Sequence, residues 1–381
     1  MEDYGIEMSK NISQTVIIPT RNEEDYIEAC INSLIDDWVI STTEFLIVDG
    51  KSKDRTIEIV KKNFAHLNLK ILENPNLYQS YAMNIGIKNS SSKDTHPWFS
   101  NEGVQPEDWC AIMIRADAHC IFPPNYIRNL RQTIRDNIGV EGAGVLNMGS
   151  IQNAVGTDTF TKAVATVMNS KYAMGGVKYR QKQFNHEDKL IDSDTAYLGG
   201  WMKGYLEGNI DLFISPDDEY LVYNQEFQIN EDYELNIRIN KSYHPGVVVN
   251  TELVVNYFVR NSLSGIIKQF FRYGLWKTKT LSIHPDSLKK RQLAPVAFVL
   301  FLATLVIGNL ILPYPYIPIL NWVSSAIGFC WLILILRIWK DSPKITNILL
   351  IPVIVLSMHI SWGLGFLYGL LRWARGGWNK L

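Results

Sequence analysis

The 381-residue chain is poor in several features that would settle its class at once. Its four cysteines, Cys30, Cys110, Cys120 and Cys330, lie far apart without metal-type spacing. They argue against a disulfide framework and read as small buried apolar residues in a reducing compartment. Lys and Arg number 37 against 38 Asp and Glu, so the basic surplus that nucleic-acid binding calls for is missing. Residues Met1 to Asn11 carry acidic side chains and no apolar stretch, which predicts that they are not a signal peptide. After the first strand-like run the sequence reads PTRNEE, not Gly-x-Gly-x-x-Gly, which removes a dinucleotide-binding dehydrogenase. Internal repeats and low-complexity tracts are also lacking.

What is present is an alternation of strand and helix signals. Thr15 to Ile18 is a β-branched run closed by Pro19 and predicts a buried strand. Over Glu24 to Leu34, a helix would place Tyr26, Ile27, Cys30, Ile31 and Leu34 on one face. Further strands are expected at Glu44 to Val48, Leu69 to Leu72 and Trp109 to Ile114, and helices at Asp54 to Phe64 and Gln79 to Lys88. This order implies a parallel, doubly wound α/β sheet with functional groups at the carboxyl ends of its strands. Asn89 to Asp108, polar and rich in turn formers, reads as a surface insertion.

The last third is different in kind. Leu293 to Leu312, Pro318 to Ile338 and Ile348 to Leu371 are each long and apolar enough to cross a bilayer. Lys289, Lys290 and Arg291 precede the first, and Arg337, Lys340 and Lys344 follow the second. The positive-inside rule then keeps residues 1–291 cytosolic in a multi-pass protein of the cell membrane. A simple third span would leave Arg372, Arg375 and Lys380 outside, whereas Pro352, His359, Gly363, Gly365 and Gly369 would allow a broken or re-entrant element. The expected domains are 1–258 (catalytic), 259–291 (an amphipathic interfacial linker) and 292–381 (membrane region).

Three acidic positions sit where strands end: Asp49 in FLIVDGKSKDRT, Asp117 in CAIMIRADAHC, and Glu231 with Asp232 in NEDYELNIRI, a segment expected to form a helix presenting Leu235 and Ile239. One such carboxylate is commonly only a cap or turn former. Three in this order point to a site.

The segments TVIIPTRNEEDYIEACINSL, FLIVDGKSKDRT, YAMNIGI, RADAH and NEDYELNIRI resemble glycosyltransferase family 2, inverting enzymes of the GT-A fold, over about residues 14–280. Within that family the chain is similar to exopolysaccharide glucosyltransferases of succinoglycan type, which carry Asp-Ala-His in place of Asp-x-Asp and a stretch like GGVKYR, here Gly175 to Arg180. The resemblance implies a Rossmann-like, doubly wound mixed sheet followed by a helical membrane region. It places Pro19, Thr20, Arg21 and Glu23 beside the nucleoside, with Arg115, Ala116 and Asp117 also in the nucleotide-sugar site. Asp49 would accept hydrogen bonds from the uracil or ribose. Asp117 and His119 would hold a divalent cation, Mn2+ or Mg2+, at the donor's diphosphate. Histidine suits manganese better than magnesium. Asp232 is the expected general base and Glu231 the alternative.

Gly199, Gly200 and Trp201 in YLGGW would lie at the acceptor, although a packing role for Trp201 is as compatible with the sequence. Gln269-Phe270-Phe271-Arg272-Tyr273 resembles the Gln-x-x-Arg-Trp motif of processive synthases, with Gln269 and Arg272 facing an acceptor or diphosphate. The surrounding Ser262 to Trp276 is amphipathic and suits a membrane interface. The expected function is transfer of a sugar from a UDP-sugar to a lipid-linked saccharide at the cytosolic membrane face. A polyprenyl-phosphate glycosyltransferase, a processive synthase and a degenerate, non-catalytic membrane scaffold are the alternatives.

Overall fold

The structure is a computed structural model that describes residues 13–91, 111–137, 147–180, 188–202, 221–243, 245–311, 317–341 and 348–378. Its contacts divide into two units: Met1–Ser150, Glu187–Gln225 and Glu231–Val255 form one; Ile151–His186, Glu226–Asn230 and Asn256–Leu381 form the other.

The strands are β1 Gln14–Thr20, β2 Thr43–Asp49, β3 Leu69–Glu73, β4 Ile112–Arg115, β5 Cys120–Ile121, β6 Asn147–Val155, β7 Leu190–Asp192, β8 Tyr197–Met202 and β9 Val247–Phe258. Among the described residues they join one sheet in the order β3-β2-β1-β4-β8-β6-β9-β5, with β7 on β9. As expected, β1, β2, β3 and β4 are parallel. The sheet is mixed because β8 runs antiparallel to both β4 and β6.

The parallel core follows from its residue types. Val16, Ile17 and Ile18 are all fully buried, which is how a strand covered on both faces reads as a continuous apolar run. The helix Ile27–Leu34 turns Ile27, Cys30, Ile31 and Leu34 inward, a spacing that lays one stripe on the sheet. Tyr26 caps that helix rather than joining its first turn. The helix Gln79–Asn89 lies directly on β1, because a Cβ at Gly86 would stand 2.5 Å from Ile17 Cγ2. Within β2, Glu44 is completely buried; Lys70 at 2.7 Å and the Ser91 hydroxyl at 2.7 Å satisfy it.

In the second unit, helices span Leu263–Ile283, Leu293–Ile311, Ile317–Lys340 and Leu350–Ala374. The last three are long and apolar enough to cross a membrane. They differ in cover: 44% of the third helix's apolar window is buried, against 17% and 11% for the first two. The third is one unbroken helix, so Pro352 and the three glycines do not interrupt it. Proline in the first turn lacks only an N–H that had no intrahelical partner there. The glycines serve packing instead. A Cβ at Gly365 would stand 2.0 Å from the Phe271 carbonyl oxygen, and one at Gly274 2.0 Å from that of Trp362. The helices Leu263–Ile283 and Leu350–Ala374 thus touch backbone to backbone.

Just past the amphipathic stretch, Lys277 is 2% exposed and donates to the Ser287 carbonyl (2.9 Å) and hydroxyl (3.1 Å). One expectation about the cysteines needs correction. Cys330 is exposed on an apolar helix, whereas Cys30 and Cys120 are buried as expected; all three are free thiols. Cys110, most of the Asn89–Asp108 insertion, Leu312–Tyr316, Lys344 and Lys380 lie outside the described residues.

Candidate active site

Parallel register brings the strand ends to one edge. Thr20 pairs with Asp49 and Asp49 with Glu73, while Ile17 pairs with Arg115 and sets Asp117 just past the end of β4. The loops after β1 and β2 are then laced together. Asn22 N donates to Ser52 Oγ (2.9 Å), Lys53 N to Asn22 Oδ1 (2.8 Å), and Glu23 N to Thr56 Oγ1 (2.8 Å). Asn22 and Lys51 take left-handed backbones, φ 55° and 59°, to make these crossings.

The cleft at this edge is lined by Pro19, Thr20, Arg21 and Glu23 from the first loop, and by Asp117 and His119. Asn74, Tyr78 and Gln79, none of them anticipated from the sequence, also line it. Asp49 adjoins the cleft without lining it. Its carboxylate takes the Ser52 hydroxyl at 2.6 Å and the Ser52 N–H at 3.2 Å, and so holds the turn that follows β2.

Asp117 is the hub. Its Oδ1 accepts from Gln79 Nε2 at 2.8 Å and from Arg115 Nε at 3.1 Å. Arg115 continues to Glu231 Oε1 through Nη1 at 3.3 Å. All three members of this Asp117–Arg115–Glu231 ladder are buried, at 9%, 6% and 4% exposure. Burial pushes the Asp117 carboxyl up, but Arg115 and His119 outweigh it and hold it below the usual carboxylate range. Glu231 goes the other way. Burial, with the Asp232 charge beside it, pushes it up to about 7 against the opposing pull of Arg115. Asp232 is half-buried next to it, and its Oδ1 accepts from the Tyr233 N–H at 2.7 Å, as an acidic group at a helix start does. The helix Glu231–Ser242 buries Leu235 and Ile239 as expected, which fixes where its first turn points.

A buried tyrosine joins this group. Tyr223 lies beside Arg115 and is anchored by Asn84, whose amide pairs reciprocally with the Tyr223 backbone at 2.8 Å in each direction. Nothing in the local sequence pattern marks Tyr223, because Asn84 reaches it across 139 residues.

For a cation, no group of three or more His, Cys, Asp and Glu side chains converges among the described residues. Asp117 and His119 nevertheless share the cleft, and His119 Nδ1 lies 3.1 Å from Glu23 Oε1. A carboxylate on the far nitrogen is how a metal-binding imidazole is commonly oriented. The pair fits a cation that takes its remaining ligands from diphosphate and water.

The acceptor expectations fall differently. Gly199, Gly200 and Trp201 lie within β8, wholly buried. A Cβ at Gly199 would meet Asn147 Oδ1 at 2.0 Å and one at Gly200 would meet Leu130 Cδ2 at 2.8 Å, so these glycines admit neighbouring side chains. Trp201 is 2% exposed, with its ring 6.1 Å from that of Tyr223.

Gln269 and Arg272 belong to the second unit. Arg272 is exposed. Gln269 Nε2 donates to Tyr257 Oη (3.2 Å) and Tyr273 Oη (2.9 Å), and its Oε1 is buried without a partner.

Comparison with known proteins identifies relatives of the sequence and of the fold. Residues 15–146 match the model of glycosyl transferase family 2. The chain is 27% identical over 370 residues to "Succinoglycan biosynthesis protein ExoA" of Rhizobium meliloti (strain 1021), covering 95% of this chain and 96% of the relative. It is 26% identical over 362 residues to the "Dolichyl N-acetyl-alpha-D-glucosaminyl phosphate 3-beta-D-2,3-diacetamido-2,3-dideoxy-beta-D-glucuronosyltransferase" of Methanococcus voltae, covering 94% of this chain and 97% of the relative. Among solved structures, "Mannosyltransferase PcManGT from Pyrobaculum calidifontis in complex with GDP-Man and Mn2+" shares the fold at TM-score 0.56 and 14% identity, covering 97% of this chain and 88% of the other. Residues 15–146 thus carry a family 2 glycosyltransferase domain, and the protein is a glycosyltransferase.

Proposed function

We propose that the protein moves a sugar, with inversion, from a UDP-sugar to a lipid-linked saccharide at the cytosolic face of the cell membrane, for a surface or extracellular glycan. The observation that carries this reading is the buried Asp117–Arg115–Glu231 ladder, which ties the cleft to the start of the helix bearing Asp232. Pro19, Thr20, Arg21, Glu23 and Ala116 position the nucleoside, and Asp49 supports it through the Ser52 turn. Asp117 and His119 hold a divalent cation, which when bound neutralises the charge developing on the nucleoside diphosphate.

Asp232 takes the proton from the acceptor hydroxyl as that oxygen attacks the anomeric carbon and the carbon–oxygen bond to the diphosphate breaks. Glu231 is the weaker base candidate, because its carboxyl already accepts from Arg115 and is largely removed from solvent. The lipid-linked acceptor is supported by the dolichyl-linked substrate in the name of the Methanococcus voltae relative, and glycan assembly by succinoglycan biosynthesis in that of the Rhizobium meliloti one. The three apolar helices keep the enzyme where such an acceptor resides. A processive synthase, which threads its polymer through a channel, calls for more membrane helices than the three among the described residues.

The test uses the full chain in lipid nanodiscs with Mn2+, a panel of nucleotide sugars and a polyprenyl-linked saccharide. Transfer from a UDP-sugar to the lipid fraction is the expected result. Nucleotide binding without turnover on any donor would favour the scaffold reading instead.

A further inference from the structure

The second unit holds a buried cation for which the reaction so far has no use. Arg180 closes the GGVKYR stretch, is 8% exposed, and has both Nε and Nη1 buried without a hydrogen-bond partner. A guanidinium is always charged and presents its donors in a rigid fork. Leaving two of those donors unmet costs more than the roughly 1–3 kcal/mol of a neutral orphan. No carboxylate pairs with it among the described residues. Its surroundings are hydroxyl groups: Tyr179 bonds to it and places its ring 5.3 Å from the guanidinium carbon, and Tyr257 and Tyr273 lie within electrostatic reach.

The tyrosines add donors. Tyr273 Oη accepts from Gln269 Nε2, which leaves its own O–H to donate elsewhere. Turning the Gln269 amide over would engage the hydroxyl protons at Oε1 and make Nε2 the outward donor instead. In either arrangement the cluster is rich in donors and lacks a negative charge. That is the chemistry of an anion site, and the forked guanidinium matches a phosphate group in particular.

The chain around Arg180 says which phosphate. Ala173, in the short helix Lys171–Met174, places its carbonyl 3.3 Å from His359 Nε2 on the third apolar helix. A Cβ at Gly175 would stand 3.0 Å from Arg291 Cβ, just before the first apolar helix. Gln269 and Tyr273 sit on the helix that meets the third apolar helix backbone to backbone. The site is therefore assembled entirely by the unit that carries the apolar helices, while the cleft with Asp117 and His119 belongs to the other unit.

We infer that Arg180, with Tyr179, Tyr257, Tyr273 and Gln269, forms a binding site for the phosphate group of a membrane-borne isoprenoid acceptor. This deepens the lipid-linked acceptor of the proposed function and rests on it. Arg180 does not touch the reacting atoms; it anchors the acceptor by its headgroup.

The experiment compares three probes on the full chain in nanodiscs: farnesyl phosphate, farnesol, which has the same tail without the phosphate, and UDP. Because charge-assisted hydrogen bonds are at stake, wild type should hold farnesyl phosphate about 10–100-fold tighter than farnesol. R180Q should erase that preference and leave the UDP dissociation constant unchanged, while R180K, which keeps the charge but not the fork, should retain part of it. Equal affinity of wild type for the phosphate and the alcohol overturns the inference, whether or not any variant folds. So does an intact preference in R180Q. Weakened UDP binding with an intact preference would assign the phosphate to the nucleotide and remove the lipid. Transfer by wild type to soluble saccharides alone sinks the lipid-linked reading itself. Transfer to a lipid-linked saccharide that R180Q leaves unchanged in acceptor KM sinks only the Arg180 site.

Discussion

Arg115 and Glu231, 116 residues apart in the chain, meet as a buried ion pair at 3.3 Å, and the same guanidinium holds Asp117 at 3.1 Å on its other side. One cation thus stands between two carboxylates. Replacing it by Met leaves both without their buried partner, a class of change that costs about 3–5 kcal/mol. Denaturant unfolding of R115M in detergent should show a loss of that order. A midpoint equal to wild type would mean that water satisfies the pair.

The pH dependence of stability separates the two carboxylates. Glu231 has a folded-state pKa raised to about 7, so its contribution is fully present below the ordinary glutamate value and is lost as pH rises through about 7. Asp117 is lowered, so its contribution is present above the ordinary aspartate value and is lost only as pH falls through the folded-state one. Between pH 5 and 7.5, E231Q should therefore lose less stability than wild type as pH rises, by at most about 3 kcal/mol. Parallel stability–pH curves for the two proteins would show that Glu231 does not titrate there.

Removing the base should stop chemistry without disturbing the donor. D232N is expected to lower the transfer rate by at least about 100-fold, within the range for a general base, while UDP affinity stays within about twofold of wild type. If transfer and UDP binding fell together, Asp232 would be holding the nucleotide site together instead.

At the cation, Asp117→Ala should weaken Mn2+-dependent binding of the donor strongly. Glu23→Gln, which removes the carboxylate beside His119 from the cleft lining, should weaken it by about 10–100-fold. A Mn2+ titration of donor binding reads both. Should Glu23→Gln leave the half-saturating Mn2+ concentration unchanged, His119 stands outside the cation's ligands.

The helix crossing offers a packing test with an internal control. A methyl group at Gly365 would stand 2.0 Å from a backbone oxygen, whereas Gly328 has nothing within 4 Å. Gly365→Ala should cost roughly 1–3 kcal/mol of thermal stability in detergent, as overpacked positions do, and Gly328→Ala essentially none.

Much of the fold was legible because its signals are local. The β-branched run at Thr15 to Ile18 and the four-position stripe from Ile27 to Leu34 each report one element without any knowledge of its neighbours. The acidic strand ends were legible for the same reason: a carboxylate after a strand is visible within five residues. What the sequence hid are pairings made across distance. Tyr223 depends on Asn84, the ladder on Arg115 reaching Glu231, and Gln79 on its turn toward Asp117. Arg180 stands in the sequence only as the last residue of GGVKYR, and nothing in that string shows that its guanidinium is buried. The glycines of YLGGW show the complementary ambiguity, since room for a ligand and room for Asn147 look identical in a one-letter string.

The contact between His359 Nε2 and the Ala173 carbonyl joins residues 186 positions apart, and the helix Thr159–Asn169 also packs on Leu350–Ala374. A chain made from its N-terminus therefore produces Ala173 roughly 10–40 s before its partner exists, at about 5–20 residues per second. The helix Thr159–Asn169 and Ala173 wait through that interval without these partners, until the helix Leu350–Ala374 has been made. Assembly of this part is consequently timed by the helix Leu350–Ala374, and a stop codon or frameshift after residue 341 would leave its earlier partners exposed to proteases and aggregation.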